Sequence, residues 1–259
     1  MNELAATFGE GKLLIFQPAL ASDTALVVGL GLQRFWAQAL REAGRPALYF
    51  VSVGKVERAE AGSPLAIGDK LVLPQGPALL EDPAVAGLLL RFQARWGLSW
   101  TFELQGPRFT LRARLVEADG QHLGQLAHWT IEDEVPALIH HSFEILHACA
   151  LRTGIRPPWS RWQELYGATD EAAVAAFFAA VGLLSYGIEG QRLDPKQVFV
   201  TLERIFSADP RMPHALDVAA RLFAVLAEQG VPELDLARHR RELRQLGVQL
   251  DLKPSGAPA

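Results

Sequence analysis

His140, Glu144 and His147 stand at i, i+4 and i+7 of one apolar-periodic run, so a helix carries all three along one face. Glu144-x-x-His147 has the spacing that di-iron bundles use, but those sites draw a second such motif and further carboxylates from neighbouring helices. The chain holds no second Glu-x-x-His, so the three residues read as a solvated polar face and no metal is expected. Gly9-Glu10-Gly11-Lys12 has the outline of a phosphate loop. Ala6 stands where its first glycine belongs, Leu13 replaces the Ser/Thr, and Lys12 leads into a strand where it should open a helix. Gly29-Leu30-Gly31 resembles part of a dinucleotide fingerprint, yet Arg34 occupies the third glycine position and the stretch lies inside a helical pattern. Close packing of that helix on a sheet is the expected use of both glycines. Cys149, the only cysteine, falls in an apolar arc and reads as a small buried residue. No G-x-S-x-G elbow or Ser-His-Asp order is legible, and Gly62-Ser63 stands in a loop. Catalytic residues, cofactors and metals are therefore all expected to be absent.

Two further patterns bear on ligands. Arg238, His239, Arg240, Arg241 and Arg244 cluster near the C-terminus, diluted by Glu233, Asp235 and Glu242 and without interleaved aromatics. A solvated helix face accounts for them better than a nucleic-acid stripe, and a net charge of −4 supplies no global basic field. The loops Gln17–Asp23 and Ser52–Ala61 would follow two parallel strands, where open α/β sheets bind ligands. They carry Asp23, Lys55 and Glu57 but no glycine-rich cradle, so a nucleotide- or small-ligand-binding regulator or enzyme is the competing reading.

The elements that hold these residues follow from periodicity. An apolar share of 49% and a charged share of 21% over 259 residues suit a folded chain of one or two domains. The opening residues lack a basic start followed by an apolar run, and no uninterrupted apolar stretch reaches membrane-spanning length, so a cytoplasmic protein off the membrane is expected. Leu13–Phe16, a helix Thr24–Ala43 and Ala47–Val53 predict a parallel crossover pair. A short strand is expected at Lys70–Leu73 and a helix from Asp82-Pro83 to Trp96, closing at Gly97. Leu98, Trp100, Phe102 and Leu104 alternate with polar residues, as do Phe109, Leu111, Ala113 and Leu115. A Gly106-Pro107 loop pairs Phe102 with Leu111 and Trp100 with Ala113. For the next strand, a three-residue loop Ala118-Asp119-Gly120 sets Leu115 opposite Leu123 and Phe109 opposite Trp129, which keeps the apolar set on one face. Glu132, Asp133, Glu134 and Pro136 open a helix through Thr153. Its buried arc is Leu138, Ile139, Ser142, Phe143, Ile145, Leu146, Cys149 and Ala150.

The expected fold is an α/β domain over residues 1–155, ordered β-α-β-α-β-β-β-α with an antiparallel meander in a mixed sheet. An all-α domain over 156–250 and a frayed tail over 251–259 follow. The helical part reads as a short helix near Trp159–Tyr166, then Asp170–Tyr186, a helix opened by Asp194-Pro195, Ala215–Gln229, and a last helix to Leu246.

LLIFQP, the long helix, YFVS, and the hairpin RFTLRARLVEADGQHLGQ with its helix resemble the amino-terminal domain of TolB and its cytoplasmic relatives. The helical half resembles degenerate tetratricopeptide repeats: Asp209-Pro210 matches a repeat-closing proline, and Leu216, Ala220 and Phe223 fall at the large, small and aromatic positions of the next first helix. No propeller follows, and one repeat pair is legible where a solenoid needs about three. The resemblance implies a non-catalytic protein–protein interaction, scaffold or regulatory protein, with a protein partner or a second copy of the chain as occupant. Arg112, Arg114, Asp217, Arg221, Phe177 and Phe178 are the candidate surface. The apolar excess of Ala173, Ala175, Phe177, Phe178 and Val181 must meet either the first domain or another chain, and docking onto the first domain is expected, with Trp159 and Trp162 in the seam.

Overall fold

A computed structural model describes residues 11–16, 19–20, 23–43, 47–49, 65–67, 70–72, 79, 81–119, 122–155, 170–188, 190–248 and 250. β1 (Leu13–Ile15) and β2 (Ala19–Leu20) lead into α1 (Asp23–Glu42), and β3 (Ala47–Tyr49) returns parallel to β1. The crossover pair expected from the apolar runs is thus present. β4 (Leu65–Ile67) and β5 (Lys70–Val72) form a separate antiparallel ribbon, which supplies the partner of the short strand expected near Lys70. α2 (Asp82–Phe92) precedes three long strands, β6 (Trp96–Gln105), β7 (Arg108–Asp119) and β8 (His122–Glu134). The main sheet runs β3-β1-β6-β7-β8, with β2 also beside β6.

α2 ends earlier than its sequence pattern suggests. Gln93 takes a left-handed conformation at φ 51° and closes the helix by donating to Leu89 and Leu90. Trp96 and Gly97 are then released into β6, where Lys12 accepts from the amides of Arg95 and Trp96.

The β6–β7 register is the expected one: Trp100 lies opposite Ala113, Phe102 opposite Leu111 and Leu104 opposite Phe109. Gly106, at φ +60°, occupies the first central position of the two-residue turn, which leaves the second to Pro107. The β7–β8 register differs from expectation. Leu115 faces Ala127, Ala113 faces Trp129, and Phe109 faces Asp133. The extra residue sits at Leu126, in a bulge opposite the Leu115/Val116 step, and the strands close on the pair Asp119–His122. The physical reason is that the sheet is covered on both sides. Val116, Ala118 and Leu123 pack with Leu14, Phe16, Val85, Leu88, Leu89 and Ala94 on the α2 side. The apolar residues of β8 therefore do not share one face.

The other side holds the main core. A 3₁₀ turn (Val135–Ala137) leads into α3 (Leu138–Arg152), whose buried residues are the eight expected from helical spacing. Trp100, Phe102, Phe109 and Leu111 are buried beneath it, and Trp129 is half-buried. Trp36 of α1 stacks at a tilt on Trp100, with ring centroids 4.6 Å apart, and donates to the Ser142 hydroxyl. Trp100 in turn donates its indole N–H to the Phe16 carbonyl at 2.8 Å. Both buried indoles thus have partners, as buried polar groups must.

From residue 170 onward the described residues form helices only: α4 (Glu171–Ile188), α5 (Pro195–Ala208), α6 (Pro213–Glu228) and α7 (Glu233–Gln245). Asp194 caps α5 by accepting from the Lys196 amide, and Gly230 ends the α6 region at φ +83°. α4 is apolar all round and long enough to cross a membrane by length and composition, but 61% of it is buried within the protein. It packs on α1 through two glycines. A Cβ at Gly31 would lie 1.8 Å from the Phe178 carbonyl oxygen, and one at Gly182 would lie 1.7 Å from that of Val27. Gly31 therefore serves close packing, but against α4 and not against the sheet. One hydrophobic cluster runs from Leu13 to Val248, so the helical layer is docked on the sheet layer as the apolar excess of α4 requires. Trp159 and Trp162, the short helix around them, and the tail lie outside the described residues.

Candidate interaction surface

α4 is not covered all round: Ala172 and Ile188 are exposed, and Ala176, Ala179 and Val181 are half-buried. Val174, Phe177, Phe178 and Leu183 are consumed by the core, which corrects the assignment of Phe177 and Phe178 to an outer surface. Those rings fill the α1–α4 contact; Phe178 lies 5.3 Å from Phe35 between centroids. A second stripe, Ala172, Ala175, Ala176 and Ala179, recurs at helical spacing and forms the floor of a groove of about 1020 Å³. Val27 and Val28 of α1, Leu104 and Gly106 of the first hairpin, and Val135-Pro136 make one wall. Val200, Thr201, Arg204 and Ala208 of α5 make the other. The groove lies where sheet layer and helical layer meet.

α5 is a ridge with a hollow on each side. Its far side, with α7 and the α6–α7 connection, encloses about 690 Å³ lined by Lys196, Phe199, Val231, Asp235, His239 and Leu246. Val200 and Glu203 line both hollows, and Val200 is 38% exposed between them. Gln229 fixes the end of this second hollow by accepting from the Leu193 amide and donating to the Gln191 carbonyl.

The remaining surface residues expected from the sequence are scattered. Arg112 is exposed on β7, and Arg114 pairs with Asp82 at the start of α2 at 2.5 Å, on the side of the sheet away from α3. Asp217 and Arg221 are exposed on α6 and line neither hollow. The six candidates are therefore not brought together. Val200, Arg204 and, apart from Ala175, the alanine stripe are absent from the surface expected on sequence grounds. A signal for them exists, because a helix as apolar as α4 has surface left after one packing stripe is assigned.

The histidines of α3 diverge. His140 reaches Glu171 at the start of α4, Glu144 reaches His141, and the His147 ring meets Phe143 edge-on. No group of three or more His, Cys, Asp or Glu side chains is arranged to hold a metal ion among the described residues. His141 has no motif to mark it in the sequence, yet both its nitrogens meet carboxylates at 3.0 Å: Nε2 faces Asp133, and Nδ1 faces Glu144. Burial pulls its pKa down, but the hydrogen bonds to the Asp133 and Glu144 carboxylates outweigh this and hold it above the usual 6.5. The same bond from His141 holds the Asp133 carboxyl below its usual range. Carboxylates engage both ring nitrogens, so this group clamps the strand-to-helix corner. Ser142 beside it is buried and occupied by Trp36. Burial pushes the Cys149 thiol up to about 12, so it is no nucleophile at neutral pH.

Arg238, His239 and Arg240 of the basic cluster on α7 make local pairs, while Arg241 and Arg244 are exposed. Arg240 meets Glu233 at 2.7 Å, Arg238 meets Glu242 at 3.0 Å, and His239 stacks on Phe199 with centroids 3.5 Å apart. Gly9, Glu10, Lys55 and Glu57, together with most of the two loops named for a ligand site, lie outside the described residues. No protein-family model matches the chain, and no curated protein is significantly similar to it.

Proposed function

We propose that this chain is a non-catalytic interaction protein, a scaffold or regulator, that receives a protein partner in the groove between α4 and α5. One observation carries the reading: an alanine-floored groove with one apolar wall and one mixed wall on α5, open at the junction of the two layers, beside the exposed Val200. Small residues on a helix let another backbone approach closely, so the groove suits the apolar face of a partner helix. Gln197, Glu203 and Arg204 along the α5 wall supply a polar rim, which fixes the orientation of a bound helix more than its affinity. The resemblance to the TolB amino-terminal domain and to tetratricopeptide repeats points to the same class of function. The α/β order and the run of C-terminal helices agree with it in outline.

Val200→Glu is the direct test. It puts a charge at the mouth of the groove on a residue whose folded environment is already partly aqueous, and Arg204 at i+4 accommodates it. A partner captured by the wild-type chain, purified and titrated back, should lose at least about tenfold in affinity, the effect of one apolar contact replaced by a desolvated charge. Unchanged affinity removes the groove from the account. Saturable binding of a nucleotide or small metabolite by the purified chain would favour the competing ligand-binding reading.

A further inference from the structure

β8 is an edge strand of thirteen residues, bonded among the described strands only to β7. Which of its backbone groups look outward follows from one hydrogen bond. The Val135 amide donates to the Pro107 carbonyl at 2.8 Å, so the odd-numbered positions here turn their N–H and C=O toward β7. The even positions His128, Thr130 and Glu132 turn theirs away from the sheet, and all three are exposed. This outward ladder has defined ends. On one side the bulge at Leu126 breaks it. On the other, the Glu134 amide is already taken by the Asp133 carboxylate at 2.8 Å. Thr130 is the centre.

We infer that β8 is a self-pairing edge, and that two copies of this chain join through antiparallel β8 strands with the two-fold axis at Thr130. An antiparallel pair of identical strands is self-complementary only if its sequence reads sensibly in both directions, and this one does. Thr130 falls opposite its own copy, a favourable hydrogen-bonding cross-strand pair. His128 falls opposite Glu132 twice, so the acidic end of each strand meets a histidine and not another acid. Trp129 falls opposite Ile131 twice, an aromatic against a β-branched side chain; both are only half-buried in the single chain. The outward N–H and C=O groups of the three positions then close a ladder of about six hydrogen bonds. From Gln125 to Ile131 the strand carries no formally charged residue and no proline, the devices that commonly keep edges from pairing. The surface is distinct from the α4–α5 groove, so it stands or falls separately from the proposed function.

The test is the oligomeric state of the full chain by sedimentation velocity, with two substitutions. Thr130→Lys puts two ammonium groups face to face on the axis and leaves the β7 ladder intact. It should raise the dimer dissociation constant at least about tenfold, while circular dichroism reports an unchanged fold. Thr130→Cys should give a disulfide-linked dimer on mild oxidation and His128→Cys should not, because only position 130 meets itself; Cys149 is buried and takes no part. A monomeric wild type overturns the inference. So does a dimer that survives Thr130→Lys, or one that cross-links through His128→Cys as readily as through Thr130→Cys. Val200→Glu should leave the dimer untouched, which separates this surface from the groove.

Discussion

Gly182→Ala sets two effects of opposite sign against each other. In an exposed helix interior, alanine is favoured over glycine by about 1 kcal/mol. Gly182 lies in the interior of α4, and propensity alone predicts a more stable protein. Packing predicts the reverse. The added Cβ would stand 1.7 Å from the Val27 carbonyl oxygen, and real Cβ atoms keep at least 3.0 Å, so the two helices must part by about 1.3 Å. The obstructing atoms are main chain and no rotamer change relieves them. A gap of that size forfeits much of the dispersion between facing surfaces, and overpacking costs about 1–3 kcal/mol, more when backbone must move. The upper part of that range applies, and subtracting the propensity gain leaves a net loss of about 2 kcal/mol. For a chain of this length that lowers Tm by about 4–8 °C. Gly87→Ala is the control: Gly87 is exposed on α2, and a Cβ added there would meet nothing within 4 Å. It should stabilise by about 0.5–1 kcal/mol. Thermal and urea unfolding followed by far-ultraviolet circular dichroism measure both. If Gly182→Ala stabilises as Gly87→Ala does, α4 is not packed backbone to backbone on α1, and the docking of the helical layer is refuted.

Leu111→Asp should abolish cooperative folding, because Leu111 is fully buried and an unpaired buried charge costs several kcal/mol against a stability of about 5–15; an unchanged melting temperature contradicts the β6–β7 register. His141→Gln should narrow the pH range of greatest stability. The raised pKa of His141 stabilises the fold fully below 6.5, and this is lost as pH climbs through the raised value; the lowered pKa of Asp133 stabilises it above 3.8, and this is lost as pH falls through the lowered value. The difference between wild type and variant should therefore peak between those limits, and a flat difference across urea titrations at several pH values contradicts the clamp. Cys149 should resist alkylation in the folded protein at neutral pH and react once urea unfolds the chain, since its thiol is buried and titrates near 12; rapid native labelling, read by mass spectrometry, speaks against the burial.

The parts of the fold legible in the sequence are those fixed by local chemistry. The Gly106-Pro107 turn pins one hairpin, Asp194-Pro195 marks the start of α5, and helical spacing gives the buried arc of α3 residue by residue. The second hairpin defeats the same reasoning because its alternation is not one-sided. Gln125 interrupts the apolar series just before the bulge, and Leu123 belongs to the α2 side of the sheet. Burial on two faces is a tertiary fact that period-two counting cannot supply. The same holds for Gly31. Its place in a helix is readable, but its partner lies on α4, about 150 residues away in sequence. The candidate surface is the least legible part. Phe177 and Phe178 are conspicuous in the sequence because they are large, and for that reason they are inside. The alanines that floor the groove are inconspicuous, and what makes them a surface is the space left between α4 and α5.

The role proposed for the α4–α5 groove makes partner binding depend on Val200. Isothermal titration of the purified partner into wild-type chain and into Val200→Glu decides this, with nucleotides titrated alongside into the same preparations. Partner binding in the groove gives saturable heat with wild type, affinity reduced at least about tenfold in the variant, and no heat from nucleotides. Equal affinity for both chains, or saturable heat from a nucleotide, contradicts it.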